Sequence, residues 1–266
     1  MSSDAGATEV DLQQRQHVAT IRFGDPARKN VLTPSILAQL QNALAAAVAA
    51  EARVIVLRGH GDLWSAGYDV SRIPGEIFTD DADVVAAHPF EQCMRALENC
   101  PVVTVAALRG AAFGGAFELA ISCDLRLSAD DCRFGLPPAR LGIIYSHTGL
   151  KKLLRLIGPA HTRMLLFTAQ TIDAAEAERI GLVNRSVAAA ELDAVVEATA
   201  LHIAAGAPLA ISGMKQLLQM IDQHETLTEG ERQTIRQLRQ AAFESADFTE
   251  GRRAFEEKRP PRFEGR

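Results

Sequence analysis

The residues Arg109–Asp124 read RGAAFGGAFELAISCD. Almost every side chain in the run is apolar, yet it holds a Gly114–Gly115 pair and one carboxylate, Glu118. Small residues after a buried strand let backbone N–H groups approach a ligand closely, because no β-carbon intervenes. The glycines run into a helical pattern, whose first N–H groups lack partners and whose dipole favours negative charge. The acid four residues in gains from that dipole, while its apolar neighbours raise its pKa. Either the glutamate or the glycine pair is therefore the chemical centre of the stretch.

What surrounds the stretch fixes the class of fold. VVTVAAL (102–108) precedes it and LRLSA (125–129) follows it, and VIVLRG (54–59) is another short apolar run. Continuous apolar runs of this length suit strands buried on both faces. HVATIRF (17–23) reads as a strand after a loose start, and GDPARKN (24–30) as a loop. Thr33 as N-cap and Pro34 at the first helical position open a helix, with Ile36, Leu37, Leu40, Leu44, Ala47 and Val48 on one face. Residues 75–90 are expected to form a mobile loop, and FEQCMRALENC (90–100) a helix. Alternating buried strands and amphipathic helices predict an α/β fold. From about residue 147 the pattern is helix after helix: 147–157, 160–167, 173–180, 190–205, 207–221 and 225–245. The expected division is an α/β core over 1–200 and a helical region over 201–266.

Composition narrows the function classes. The 266 residues carry 28 basic and 33 acidic side chains, a formal charge of −5, which offers no broad platform for nucleic acid. Cys93, Cys100, Cys123 and Cys132 form no CxxC pair and read as reduced, mostly buried thiols. The polar, acidic opening MSSDAGATEVD lacks a leader pattern, and no apolar run approaches the ~18 residues of a membrane span. The expectation is a cytoplasmic protein with no membrane partner.

GxSxG, GxGxxG after a strand, the P-loop and HExxH are all missing from the sequence, and no histidine pair has metal-ligand spacing. Neither a metal nor a separate cofactor is expected. Two strand-to-glycine junctions remain, LWSAGYD (63–69) and FGGAFE (113–118). Each alone is more often a turn or packing device. Side by side, they would offer two backbone N–H groups to one oxyanion.

The order of motifs then becomes specific. RKNVL (28–32), WSAGYDV (64–70), AFGGAFELAISCDLRLSA (112–129) and RFGLPPARLGIIYSHTGLKKLLRLIG (133–158) resemble successive landmarks of the crotonase superfamily. TAQTIDAAEAERIGLVNRSV (168–187) and FEEKRPPRF (255–263) extend the match over nearly the whole chain. The resemblance implies a crotonase-like spiral of ββα turns, a C-terminal helical trimerisation region and an acyl-CoA substrate. It implies an oxyanion hole from the N–H groups of Tyr68 and Gly115, the latter admitted by Gly114. It also implies CoA contacts at Arg28 or Lys29 near the phosphates and along Ala66, Gly67 and Asp69 near the adenine. A solvated loop charge is the plain alternative for Arg28 and Lys29. A homotrimer, or a hexamer built as a dimer of trimers, is the expected assembly.

Hydratases resembling this chain use two glutamates. Glu118 matches the first, but the second position is Pro138, which can act as neither acid nor base. GGAFE, LGIIYS, APLAI (207–211) and FEEKRPPRFEG resemble the methylmalonyl-CoA decarboxylase branch, in which a tyrosine stands at the equivalent of Tyr145. Decarboxylation of a malonyl-type thioester, on CoA or a carrier protein, needs a held oxyanion more than a strong base. Tyr145 would orient the departing carboxylate, and Ser146 and His147 are candidate proton sources, with a solvent-facing helix start the alternative for His147. Tyr68 stands where that branch carries histidine. Glu118 is left as an acid/base, an organiser of the pocket or a buried structural acid. An enoyl-CoA hydratase or isomerase relying on Glu118 alone is the enzymatic alternative. A catalytically inert crotonase-fold protein binding RNA or another partner is the alternative of a different class.

Overall fold

The computed structural model describes residues 9–69, 88–142, 144–223 and 228–266. Most of the expected loop over 75–90, including residues 75–87, lies outside the described residues. Strands β1 (Val10–Arg15), β2 (Val18–Phe23), β3 (Val54–Gly59), β4 (Val103–Leu108), β6 (Leu125–Ala129) and β9 (Arg185–Val187) form one sheet in the order β1-β2-β3-β4-β6-β9. β1 and β2 are an antiparallel hairpin; from β2 onward every neighbour is parallel. A second, smaller sheet joins β5 (Ala111–Phe113), β7 (Arg133–Gly135) and β8 (Ile172–Asp173).

Parallel strands buried on both faces explain why the core strands are apolar without alternation. Ile55, Leu57, Ala106 and Leu108 face one cluster, which includes helix α1 (Pro34–Ala49) and helix α2 (Pro89–Glu98). Val54, Val56, Val105 and Ala107 face the other, beneath helix α7 (Leu192–Ala204). The Thr33 hydroxyl accepts the Ile36 N–H at 3.2 Å and Pro34 opens α1, as the sequence indicates.

The two sheets are wound together. After β2 the chain reaches Leu32, after β3 it reaches Ser65–Tyr68, after β4 it makes β5, and after β6 it makes β7. Parallel bridges Leu32↔Tyr68 and Ser65↔Ala112, with the parallel β5–β7 pair, stack these short pieces. A helix follows each: α1, α2, α3 (Gly115–Ile121), and α4 (Pro138–Leu141) leading into α5 (His147–Thr168). This is the spiral of ββα turns expected from the motif order.

Several elements differ from expectation. Residues 10–15, read as part of a loose start, form β1. Only Val10 of that strand is buried, because it is an edge strand with a mostly polar face. The expected break between 157 and 160 is a kink within α5, where Gly158 takes φ 72° before Pro159. The helices expected at 173–180, 207–221 and 225–245 are α6 (Ala174–Arg179), α8 (Pro208–Gln223) and α9 (Glu229–Glu244), and the tail adds α10 (Ala246–Glu256). α10 went unread because Ser245 both ends α9 and caps α10, its hydroxyl accepting the Phe248 N–H at 3.0 Å.

The boundary expected at 200/201 falls inside α7, which still packs on the sheet. The chain leaves the sheet at the 205–207 turn. α8 is then clamped to the core by Lys215, whose Nζ lies 2.6 Å from Asp124 Oδ2 and 2.9 Å from the Val102 carbonyl. Asp124 also accepts the Thr104 N–H at 2.7 Å, so the end of the opening stretch anchors the helical region.

Candidate active site

The two glycine junctions do meet. Trp64 is wholly buried and its indole N–H donates to the Ala116 carbonyl at 2.8 Å, tying the Leu63–Asp69 segment to the start of α3. The Trp64 N–H donates to the Arg109 carbonyl at 2.9 Å and the Ser65 N–H to the Ala111 carbonyl at 3.0 Å. These backbone bonds fix the register between the junctions.

Glycine is required where they touch. Gly67 has φ 116°, and a β-carbon there would lie 2.8 Å from the Phe113 carbonyl oxygen. A β-carbon on Gly115 would lie 2.9 Å from Tyr68 Cβ and 3.3 Å from the Tyr68 nitrogen. Gly114, with φ 52° and ψ −121°, turns the chain into α3 through a conformation that side chains resist. The Tyr68 nitrogen is thus brought beside Gly115, the first residue of a helix.

A cavity of about 290 Å³ opens against this pair. Ala66, Gly67, Tyr68, Gly114 and Gly115 line it together with Glu118, Tyr145 and Pro138. Leu141 and Ile144 give it an exposed apolar rim. Of the residues singled out in the sequence, His147 is placed elsewhere: it is exposed at the start of α5 and does not line the cavity. Arg28 and Lys29 are exposed on a short 3₁₀ turn (Pro26–Arg28) and its cap. The Lys29 carbonyl accepts the Ala66 N–H at 3.0 Å, so that turn adjoins the junction without entering the cavity. Asp69 is held through its N–H to the Leu32 carbonyl at 3.1 Å, just beyond the lining.

Glu118 is only 2 % exposed, and burial raises its carboxyl pKa above the usual carboxylate range. The Lys152 ammonium, 3.4 Å from Oε1, opposes that shift, as does Tyr145. Lys152 is shared with Glu98 and with the Ser122 hydroxyl at 3.0 Å, so Glu118 receives only part of its charge. Tyr145 is pushed well above an ordinary phenol, first by burial and then by the Glu118 charge, and stays a proton donor. Its hydroxyl oxygen is buried and, among the described residues, has no hydrogen-bond partner of good geometry, although the Glu118 carboxyl is its neighbour.

Four further groups shape the cavity and were not singled out in the sequence: Glu91, His88, Lys152 and Gly149. Glu91 and His88 stand at the start of α2, where an acid in the first turn reads as an ordinary dipole partner. Burial lowers the His88 pKa, keeping the ring neutral near pH 7, and its Nδ1 accepts the Phe90 N–H at 3.2 Å. Gly149 did leave a signal, a glycine early in a helical pattern. A β-carbon there would lie 2.4 Å from the Tyr145 ring and 2.8 Å from Glu118 Oε2. Among the described residues no cluster of His, Cys, Asp and Glu could hold a metal ion.

The cavity thus brings two glycine junctions, two buried acids and one phenol together in a mostly apolar wall. The enoyl-CoA hydratase/isomerase family profile matches residues 13–266, and the chain belongs to that family, the crotonase superfamily of acyl-CoA-processing enzymes. It is 33% identical to methylmalonyl-CoA decarboxylase of Escherichia coli (strain K12) over 254 residues, 93% of this chain and 95% of that protein. The crystal structure of enoyl-CoA hydratase from Bacillus anthracis matches with a TM-score of 0.86 and 29% identity, over 97% of this chain and 100% of that one. Methylmalonyl-CoA decarboxylase in complex with 2-nitronate-propionyl-CoA matches with a TM-score of 0.76 and 32% identity, over 97% and 99% of the two chains.

Proposed function

We propose that the protein is a cofactor-independent acyl-CoA lyase that decarboxylates methylmalonyl-CoA or a similar malonyl-type thioester. The observation that carries this reading is the Tyr145 hydroxyl: buried, protonated, and facing a cavity whose other wall is the Tyr68–Gly115 pair. A buried phenol beside the Glu118 carboxyl can turn its O–H to a substrate carboxylate, where a charge-assisted bond is stronger than a neutral one. The thioester oxygen would accept from the N–H groups of Tyr68 and Gly115. Tyr145 would hold the carboxylate so that the breaking C–C bond stands perpendicular to the thioester plane, a positioning role. The bond breaks, CO2 leaves, and its electron pair becomes the enolate held by the N–H pair. Addition of a proton at the α-carbon completes the acyl-CoA product. Pro138 in the cavity wall, where related hydratases carry their second acid, supports the same reading.

The CoA moiety would run over Ala66–Asp69, with Arg28 and Lys29 towards its phosphates. The assembly proposed is a homotrimer or a dimer of trimers in the cytoplasm. An apolar groove of about 540 Å³ between α8, α9 and α10 supports it, flanked by Met214, Phe243 and an 87 % exposed Phe255.

Hydration or isomerisation of an enoyl-CoA is the second reading, favoured by Glu118, a carboxyl in the cavity wall whose pKa burial raises, as general acid–base work requires. Incubation with methylmalonyl-CoA and with crotonyl-CoA separates the two. CO2 release from the first is the expected result. Turnover of crotonyl-CoA alone, abolished by Glu118→Gln, would establish the second reading instead.

A further inference from the structure

The sequence leaves the cavity one carboxylate short, because Pro138 occupies the second acid position. The structure supplies another carboxylate from a different element. Glu91, on the first turn of α2, is 7 % exposed and lines the same cavity as Tyr68, Gly115 and Tyr145. Its neighbour Phe90 packs edge-on against the Tyr68 ring, with centroids 5.6 Å apart. Phe90 Cε2 would also stand 3.0 Å from a β-carbon on Gly115. The start of α2 is therefore built directly onto the N–H pair.

Glu91 is held in place by a chain of hydrogen bonds from the cap of α5. The Gly149 N–H donates to Ser146 Oγ at 3.1 Å, and Ser146 Oγ lies 3.1 Å from Thr148 Oγ1. Thr148 Oγ1 in turn donates to Glu91, 3.1 Å from one oxygen and 3.2 Å from the other. A carboxylate has about four acceptor sites. Among the described residues, this hydroxyl is the one side-chain donor to Glu91. Glu118, by contrast, is engaged by Lys152. Glu91 is thus the oriented acid with acceptor capacity left for a substrate or a proton.

We propose that Glu91 is a second catalytic carboxylate, which exchanges the proton at the substrate carbon next to the thioester. This rests on the reading that the cavity forms a thioester enolate. In the proton-abstracting direction the C–H bond breaks, its proton goes to a Glu91 oxygen, and its electron pair enters the enolate. In the decarboxylating direction CO2 has already left, and Glu91 in its acid form gives its proton to the α-carbon. Solvent then reprotonates the carboxylate.

The test follows loss of the α-proton signal of propionyl-CoA in D2O by NMR, for wild type, Glu91→Gln and Glu91→Asp. Glutamine still accepts the Thr148 hydroxyl but carries no exchangeable acid. Exchange should fall by about 100-fold or more in Glu91→Gln, with partial recovery in Glu91→Asp at an unchanged melting temperature. Should Glu91→Gln fail to fold, Thr148→Val removes the orienting donor and should also slow exchange. Wild-type exchange rates in Glu91→Gln, or in Thr148→Val where that variant carries the test, would overturn the assignment. Failure of the wild type to exchange at all would do the same. CO2 release from methylmalonyl-CoA is scored separately. Release with exchange unaffected by Glu91→Gln refutes Glu91 and keeps the lyase. Exchange lost in Glu91→Gln without CO2 release refutes the lyase and keeps Glu91.

Discussion

Tyr145 and Glu118 are a phenol and an acid forced together in an apolar wall, and burial raises the pKa of each. Removing the Tyr145 hydroxyl should leave the fold intact, because the Glu118 carboxyl beside it keeps the Lys152 ammonium. A lost hydrogen bond to a charged substrate group is worth about 1.5–3 kcal/mol. Tyr145→Phe should therefore lower kcat/KM for a malonyl-type thioester by roughly 10- to 100-fold, which steady-state kinetics would read. Glu118 gives a pH signature in stability. Its folded pKa lies above the unfolded value, so its contribution is fully present below the ordinary carboxylate range and is lost as pH rises through the folded pKa. Glu118→Gln should thus gain in melting temperature relative to wild type as pH is raised from 4 to 8. A difference independent of pH would show that Glu118 is not raised. At this scale the sequence was informative about groups inside a local motif: Gly67, Gly115, Glu118, Tyr145 and Pro138 all line the cavity. Glu91 and His88 were not legible, since their place in the cavity wall comes from α2 packing on a junction distant in sequence.

Short apolar strands and capped helices were the legible elements, because periodicity and capping act within a few residues. LRLSA is β6 as read, and Thr33–Pro34 starts α1. The three-residue strands β5 and β7 were not legible, since three residues carry no period and exist only by pairing with each other. The start of α5 is the element on which the cavity depends most. It presents Tyr145, caps itself with Ser146, and lets Tyr145 and Glu118 pass over Gly149. Gly149→Ala should overpack this turn, at a cost of about 1–3 kcal/mol. Because the added carbon would meet the Tyr145 ring, kcat should fall as well, even at temperatures where the variant remains folded. Thermal denaturation with kinetics on the same sample checks both. Full activity in a folded Gly149→Ala would show that Tyr145 needs no such clearance.

At the scale of the whole molecule, the α/β spiral was legible in the order of the motifs, while the packing of the tail was not. The clamp of α8 through Lys215 and Asp124 joins residues 91 apart in sequence, beyond the reach of any local pattern. The apolar groove among α8, α9 and α10 should be covered in solution. Light scattering should give three or six times the chain mass, and Phe255→Glu should shift it towards the monomer. The most direct measurement for the proposed function is CO2 release from methylmalonyl-CoA by wild type and Tyr145→Phe at equal concentration. The expected result is propionyl-CoA and CO2 from the wild type, with release slowed by at least about tenfold in the variant. No CO2 from the wild type, or equal release from both proteins, would contradict a positioning role for Tyr145 opposite the Tyr68–Gly115 pair.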